Sequence, residues 1–578
     1  MSRYLTRQRA RVLGVIFLAL GVSLLAHWEP SQESWGYWLF SRIFNETGQF
    51  IIPGRSPLYS LYLVLFRWMG YPLSVSVEYL VTSLLTVLAL MVLFREYLNR
   101  PLLTLAVILW IPFLQISEPP VQKLALACSC LAIALRNKEA DRFRMSLSYA
   151  LLILASMFRN TYSVCFLIFL VWDGWKVFRE KKGKNFFKVL SPQGADWPIL
   201  VVLGLLTWFN VAQSAHRWNN AHSASTQWFP GDSKSLSSAA FFQHYNDEYI
   251  AHTYGNYEGK DFYQTNNEAF HGADTIQAAF IANPGFIARE LVGNCKRALI
   301  IASKFILLPA MFYDKIPKGS HLWYLVHPLV TLPLMAMMLY GAFRGAKTAD
   351  MRLFLGINIL LIFSTILALP KERYMHPLIP LLMTSACWYG QLLKSFWERM
   401  VSSSGKLTRW NRFIAQSMMA FSIVFFSQGT LSWAGMMRDL VKDWRQGEWK
   451  VLESREYSEK ASKQPIELLI KNCHGIMTEN HRFIGAFMPI PLNHIYDIWE
   501  IPPFGYWGDP VYDGLRPERI DCVLVTSNIV KYGDGVTNSR LRYDLYLKPY
   551  MEHLQQQGAK VYAIEQYGQA VILEKGRD

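Results

Sequence analysis

The sequence predicts a polytopic α-helical membrane protein with a small C-terminal α/β domain. Hydrophobic residues make up 52% of its 578 residues, and charged residues only 17%. A soluble protein carries about 25% charged residues. The apolar residues gather in long blocks, many of them close to the roughly 20 residues that cross a bilayer. These observations exclude intrinsic disorder, collagen and a disulfide-stapled secreted domain.

We assign about 11 apolar runs as transmembrane helices. They are 12–26, Leu73–Phe94, Pro101–Ile116, Val121–Leu135, Met145–Phe158, Tyr162–Phe178, Trp197–Gln213, Leu322–Phe343, Leu353–Leu369, Tyr374–Leu393 and Phe413–Trp433. The first is a retained span, because His27 to Pro30 make a poor signal-peptide cleavage site. Two shorter runs, Pro57–Met69 and Leu299–Phe312, would raise the count to about 13 if they crossed the membrane.

The distribution of basic residues decides between the two counts. With about 11 spans, the inner segments hold about 24 Lys and Arg residues, and the short outer segments about 7. Counting Pro57–Met69 as a span would move two basic loops to the outer face, against the positive-inside rule. We therefore interpret both short runs as juxtamembrane or re-entrant helices on the outer face, with a cytoplasmic N-terminus.

Three large segments then lie outside, at 27–72, 214–321 and 435–578. We divide the chain into a transmembrane module, 1–434, and a C-terminal extracytoplasmic domain, 435–578. Compact loops favour a bacterial inner membrane, with the C-terminal domain in the periplasm. Because all the large extramembrane segments share one face, the chemistry is expected there.

Periodicity predicts α/β structure in the C-terminal tail. Ile520–Thr526 is a short apolar run typical of a strand, and Val561–Ile564 and Ala570–Leu573 predict a terminal strand pair. Four residues with helical spacing share one helix face, and Gly558 ends that helix; they are Leu547, Tyr550, Met551 and Leu554. The chain contains no dinucleotide fingerprint and no P-loop, so the sequence gives no indication of a phosphate-cradling glycine loop.

Ionisable residues beside the outer ends of the spans are candidate functional groups, since charge at membrane depth is costly. Glu29 and Glu33 follow span one, and either carboxylate could act as a general base. Arg55 precedes the short outer helix and could bind a phosphate. Each residue also has a structural explanation without a catalytic role. Glu29 and Glu33 would fit as solvated acids at the start of a helix, and Arg55 would fit as a snorkelling arginine at the membrane interface.

The remaining candidates lie in the later outer turns. Glu118, with Lys123 one turn on, lies between spans three and four, and Arg159 lies at the outer end of span five. Glu118 and Arg159 could equally be ordinary turn residues with no role in binding or catalysis. Lys371 and Arg373 precede span ten, and their positive charge suits an anionic ligand such as a pyrophosphate or lipid phosphate. An ion pair within the loop, through Glu372, would explain them as well.

The sequence contains no clear metal motif. The second large outer segment has five histidines that could bind a metal, but without HExxH-type spacing we favour surface histidines. They are His216, His222, His244, His252 and His271. A divalent metal stays open as a cofactor.

The seven cysteines show no CxxC pattern, and a Cys473–Cys522 bridge has no support from spacing. The net charge of +15 follows the positive-inside rule rather than a nucleic-acid stripe, so no nucleic-acid partner is expected.

Two segments of the first loop resemble the GT-C membrane glycosyltransferases, in the bacterial branch related to protein O-mannosyltransferases and lipid A aminoarabinose transferases. That branch has an acid four residues before a tyrosine, then a small residue and arginine, then a glycine and an aromatic residue. The matching residues here are Glu33, Tyr37, Ser41, Arg42, Gly48 and Phe50. Arg55-x-Pro57-Leu58-Tyr59 resembles the family's basic-x-Pro-Leu-Tyr motif. Arg159 and Arg373-Tyr374 resemble later family positions.

The resemblance implies inverting transfer of a sugar from a polyprenyl-phosphate carrier to a lipid, glycan or protein acceptor on the outer face. Glu33 would be the base, although the family usually has Asp there, and Glu29 stays a competitor. Glu118 would be a second acid. The negative charge of the leaving phosphate would be neutralised by Arg55, Arg159 and Arg373. The lipid substrate would also contact Tyr37, Tyr59, Lys371 and Tyr374.

Three alternatives stay open. A lipid or glycan transporter or flippase would need broken helices in matching halves, internal repeats or mid-span charge, which the sequence does not show. A lipid-linked glycan polymerase or ligase would share the carrier but not the first-loop motif. A non-catalytic GT-C-like scaffold stays open because of the change from Asp to Glu at residue 33.

Overall fold

A computed structural model describes the fold of this chain. The described residues are 2–27, 32–48, 57–71, 73–95, 107–109, 111, 120–136, 142–181, 201, 204–205, 207–208, 236–254, 262–306, 321–368, 370, 374–402, 433–438, 440–442, 445, 473, 475–478, 481–487, 495–497, 522–526, 548–564 and 568–572.

Helices dominate the described residues. In chain order they are α1 Ser2–His27, α2 Gln32–Thr47, α3 Pro57–Arg67, α4 Leu73–Phe94, α5 Val121–Arg136, α6 Arg142–Phe158, α7 Ser163–Lys181, α8 Leu236–Tyr254, α9 Phe262–Phe270, α10 Ile276–Ala282, α11 Pro284–Ile306, α12 His321–Gly345, α13 Ala349–Ala368, α14 Leu378–Ser402, α15 His481–Phe487 and α16 Lys548–Gln556. The strands are β1 Ile476–Thr478, β2 Ile495–Asp497, β3 Cys522–Thr526, β4 Lys560–Ile564 and β5 Gly568–Ile572.

The chain forms two compact units. The first gathers Met1–Trp28, Ser76–Asn210 and Asn294–Trp449. The second gathers Glu29–Val75, Val211–Gly293 and Lys450–Asp578. These segments overlap the three predicted outer segments, although the middle one ends at Gly293 and not at 321, and their location on the outer face stays a prediction.

Two described helices are long and apolar enough to cross a bilayer, at Leu73–Phe94 and Ala349–Leu367. The count of about 11 spans stays a prediction. The described part of the short apolar run from Leu299 is helical and forms the end of the 23-residue helix α11, which begins at Pro284.

The first unit has a continuous apolar core. Its buried side chains come from α1, α4 to α7 and α11 to α14, among them Leu20, Phe94, Ile133, Phe169 and Leu382. Glycines let α12 approach α14 closely. A Cβ atom on Gly341 would lie 2.6 Å from Ser385 Oγ, and one on Gly345 would lie 2.9 Å from Trp388 Cβ. The two glycines are four residues apart, as in the small-xxx-small pattern of membrane helix pairs.

A mixed five-stranded sheet forms the tail of the second unit, in the order β2-β1-β3-β5-β4. β1 pairs in parallel with β2 and β3, while β5 pairs antiparallel with β3 and β4. Strand β3 lies within the run that the sequence predicts as a strand, and β4 and β5 correspond to the predicted strand pair. Helix α16 ends before Gly558, whose φ of +95° suits glycine.

A disulfide bond joins Cys473 to Cys522, with 5.8 Å between their Cα atoms. It ties the residue preceding β1 to the start of β3. Spacing alone gave no support for this bridge, because the two cysteines are 49 positions apart and no motif pairs them. Disulfides persist in oxidising compartments, and the periplasmic location of the tail stays a prediction.

Candidate active site

The outer end of predicted span five brings two predicted site residues together. Arg159 lies between α6 and the 3-10 turn Asn160–Tyr162, in extended backbone with φ −143° and ψ 111°. Its guanidinium carbon lies 5.2 Å from the ring centre of Tyr374, which follows the predicted outer loop before span ten. A cation over an aromatic face at this distance is attracted to the ring quadrupole. The side chain is half-buried, so the guanidinium keeps access to a ligand.

A buried hydrogen-bonded pair lies in the same two segments. The Tyr162 hydroxyl and His376 Nε2 are 2.8 Å apart, and the two rings stack with 5.9 Å between centres. Tyr162 is 1% exposed and His376 is 4% exposed. A satisfied polar pair at this depth fixes the turn after Arg159 against the segment that carries Tyr374. We call these four residues the outer-turn cluster: Arg159, Tyr162, Tyr374 and His376. Sequence analysis missed the Tyr162–His376 pair, because the two residues are 214 positions apart.

A second buried cation lies near the start of α5. Lys123 is 1% exposed, and its Nζ lies 4.1 Å from the ring centre of Tyr79 on α4. Glu78, next to Tyr79, is also 1% exposed and accepts a 2.7 Å hydrogen bond from the Thr82 hydroxyl. Buried charges are costly and mark functional positions in membrane proteins more often than elsewhere. The sequence placed Lys123 beside Glu118 without indicating that it is buried.

In the second unit, the two first-loop motifs meet through their tyrosines. Tyr37 on α2 and Tyr59 on α3 are 4% and 1% exposed, and their ring centres lie 4.9 Å apart in an edge-to-face arrangement. Tyr59 also stacks on Tyr62, with 6.0 Å between centres. Aromatic pairs of this geometry add stability beyond their buried area. The two predicted lipid-binding tyrosines thus form one buried aromatic contact.

The arginine of the first-loop motif binds the tail rather than an open cavity. Arg42 Nη1 donates a 2.7 Å hydrogen bond to the Gly485 carbonyl, at the end of α15. Arg67 donates to the Ala486 carbonyl at 3.0 Å and to the Trp38 carbonyl at 3.1 Å. Cations suit the carbonyls at a helix C-terminus. Burial and the nearby charge of Arg42 lower the pKa of Arg67 to about 10, so Arg67 stays charged at neutral pH.

Several predicted site residues lie outside the described residues. They are Glu29, Arg55, Glu118, Lys371 and Arg373. Glu33 is the second residue of helix α2, and the description covers its backbone only. The roles predicted for these residues stay predictions.

The outer-segment histidines do not share one environment. His244 on α8 is buried, whereas His271 is exposed with a positive φ of 53°. His252 is half-exposed, and its Nε2 lies 3.0 Å from Glu290 Oε1. His216 and His222 lie outside the described residues.

No protein-family model and no curated protein matches the chain. Among solved structures, it is similar to ArnT from Cupriavidus metallidurans in the apo state, with a TM-score of 0.44, 12% identity, and coverage of 99% of this chain and 100% of that one. ArnT bound to undecaprenyl phosphate gives a TM-score of 0.43 and 11% identity, with the same coverage. An Archaeoglobus fulgidus oligosaccharyltransferase in complex with Zn and sulfate gives 0.31 and 12%, covering 89% of this chain and 68% of that one.

Proposed function

We propose that the chain is a GT-C glycosyltransferase that moves a sugar from a polyprenyl-phosphate donor to an acceptor on the periplasmic face. The placement of Arg159 over Tyr374, in two segments fixed by the buried Tyr162–His376 pair, carries the proposal. A half-buried guanidinium held in place by a ring is suited to charge-assisted hydrogen bonds with a phosphate. A lipid-borne donor fits a chain without a nucleotide motif, since the sugar arrives already activated.

In this proposal the chemistry is a single displacement at the anomeric carbon. The Glu33 carboxylate takes the proton of the acceptor hydroxyl or amine, and the acceptor oxygen or nitrogen forms the new bond to the sugar. The bond from the anomeric carbon to the phosphate oxygen breaks, and the lipid phosphate leaves as an anion. Arg159, with Arg55 and Arg373, neutralises the charge that develops on that phosphate, and such electrostatic stabilisation is usually the largest contribution to catalysis.

Complementation tests the proposal even while the sugar is unidentified. Cells that lack the chromosomal copy should accumulate the polyprenyl-phosphate sugar, and mass spectrometry of their lipid extract would identify it. The wild-type chain should clear that lipid, and Glu33→Gln should not, because the amide cannot accept the proton. Glu33→Asp is the matched control. It should retain activity, since Asp is the usual residue of the resembling family.

Other outcomes would contradict parts of the proposal. Clearance by Glu33→Gln together with failure of Glu29→Gln would move the base to Glu29. Clearance by both variants, with the donor lipid transferred intact across the membrane, would replace the transferase with a flippase. An unchanged lipid pool in cells that lack the chain would reject the donor class altogether.

A further inference from the structure

We infer that the helical part of the second outer segment contains a zinc site formed by Glu248, His252 and Glu290. One ligand atom from each of the three residues lies within 4.8 Å of the others. His252 Nε2 and Glu290 Oε1 are 3.0 Å apart. Two ligands bound to one zinc ion at about 2.0–2.2 Å lie roughly 3.4 Å apart in a tetrahedral site. A small movement of the Glu248 carboxylate toward the other two ligands would therefore let all three bind one zinc ion.

The helices place these ligands for a local reason. Glu248 and His252 are four residues apart on α8, so their side chains share one face of that helix. Glu290 comes from α11, which packs against that face. Tyr249, beside Glu248, contacts Phe286 with 5.4 Å between ring centres, and Phe286 lies one turn before Glu290. Aromatic packing thus holds the two helices in position before any ion binds, which reduces the ordering cost of binding.

Charge and burial favour a cation at this point. Glu290 is only 2% exposed, although glutamate is rarely buried to this degree unless it is paired or bound to a metal. The cluster brings together two carboxyl side chains and one imidazole, which are the ligand types that zinc takes in proteins. One imidazole with two carboxylates suits zinc better than magnesium or calcium, which prefer oxygen ligands alone.

The site is separate from the proposed transfer chemistry. None of its residues belongs to the outer-turn cluster or to the first-loop motifs, and metal content can be measured without any activity. Because His252 is half-exposed, the ion would be reachable from solvent and would keep an open coordination position for water. Sequence analysis considered His252 only as one of five scattered histidines, and the third ligand was missed because it comes from a different helix.

Zinc binding to the purified full-length chain, with any affinity tag removed, tests the inference. After chelation and dialysis against zinc chloride, elemental analysis should find about one zinc ion per chain. His252→Gln and Glu248→Gln should each weaken zinc binding at least about tenfold, as losing even a supporting residue does at other metal sites. His271→Asn is the matched control. It removes another exposed histidine from the same unit, and asparagine tolerates its positive φ.

Glu248 and His252 are partly exposed, so their substitution should not unfold the segment. Glu290→Gln is a less suitable test because it alters a buried side chain and could unfold the segment. Retention of zinc by His271→Asn, with loss in the other two variants, would support the site. A wild-type chain that binds no zinc would overturn it. Equal loss in His252→Gln and His271→Asn would also overturn it, because that result is expected of adventitious surface binding. Displacement of zinc by millimolar magnesium would contradict the choice of metal.

Discussion

The guanidinium carbon of Arg159 lies 5.2 Å from the ring centre of Tyr374. The two residues are far apart in the sequence, and each was selected separately because it resembles a family position. In the proposed function, the Tyr374 ring would orient the guanidinium so that it binds an anion at the predicted outer face.

Removal of the Tyr374 ring should weaken binding of polyprenyl phosphate. A cation–π contact contributes about 0.5–2 kcal/mol, so Tyr374→Ala should lower the affinity by roughly 2-fold to 30-fold. Tyr374→Phe keeps the ring and should stay within about 2-fold of wild type. Titration of polyprenyl phosphate into the purified chain, followed by native mass spectrometry, measures both. An equal loss in the two variants would assign the role to the tyrosine hydroxyl instead.

Sequence periodicity predicted the local elements of this fold but not its tertiary contacts. Strand β3, helix α16 and the β4–β5 pair lie where alternation and helical spacing indicated, because these patterns are written within about ten residues. His376 was missed since an isolated histidine in an apolar stretch carries no local sign of a partner. The buried position of Lys123 was missed for the same reason, because burial depends on α4 packing against α5.

The first-loop motif shows a second limit of sequence reasoning. Arg42 matched a family position, and sequence analysis gave that position no physical role. Its hydrogen bond to the Gly485 carbonyl comes from a tail 443 residues away, so only the folded chain could indicate that it anchors helix α15. Among the predicted site residues, the tyrosine pair Tyr37–Tyr59 and the pair Arg159–Tyr374 are brought together. The position of the Glu33 carboxylate relative to them stays a prediction.

A side chain at Gly345 should destabilise the packing of α12 against α14. A Cβ atom there would lie 2.9 Å from Trp388 Cβ and 3.0 Å from the Thr384 carbonyl oxygen, and neither atom can move without shifting α14. Gly345→Ala should therefore cost about 1–3 kcal/mol, as overpacking does elsewhere. Thermal unfolding in detergent measures the change.

Gly356 is the matched control for this substitution. It lies within helix α13, and a Cβ atom there would have nothing within 4 Å. Gly356→Ala should leave stability unchanged or raise it by up to about 1 kcal/mol, because alanine favours helix more than glycine does. If both variants unfolded at the same temperature as wild type, close helix approach at Gly345 would not matter for stability.

The charge network around Arg136 should be required for the stability of the predicted inner end of the first unit. The Arg136 side chain is fully buried, and it contacts Asp173 on α7 and, at 3.3 Å, Asp350 on α13. Lys176 also contacts Asp350 at 2.6 Å. Arg136→Met leaves two carboxylates without their shared cation and should cost about 3–5 kcal/mol, measured by thermal unfolding.

Two further variants separate charge from packing at this network. Replacing Asp173 with Asn in the Arg136→Met background should recover much of the loss, because Asp173 loses its close partner whereas Asp350 keeps its 2.6 Å contact with Lys176. Lys394→Met is the matched control. Its contact with Glu398 is 3.8 Å long between exposed side chains, so the loss should stay below about 0.5 kcal/mol. Equal losses for Arg136→Met and Lys394→Met would refute a special role for the network.

Reduction of the Cys473–Cys522 bridge should destabilise the tail. The bridge closes a loop of 49 residues, which the chain-entropy account values at about 4 kcal/mol. Cys522→Ser should therefore increase protease cleavage of the tail, whereas Cys295→Ser, at an exposed free cysteine, should not.

Alkylation of the bridge cysteines in intact cells also tests the membrane topology. Protection of Cys473 until a reductant is added would agree with an oxidising periplasm, whereas immediate labelling would place the tail in the cytoplasm and reverse the predicted orientation.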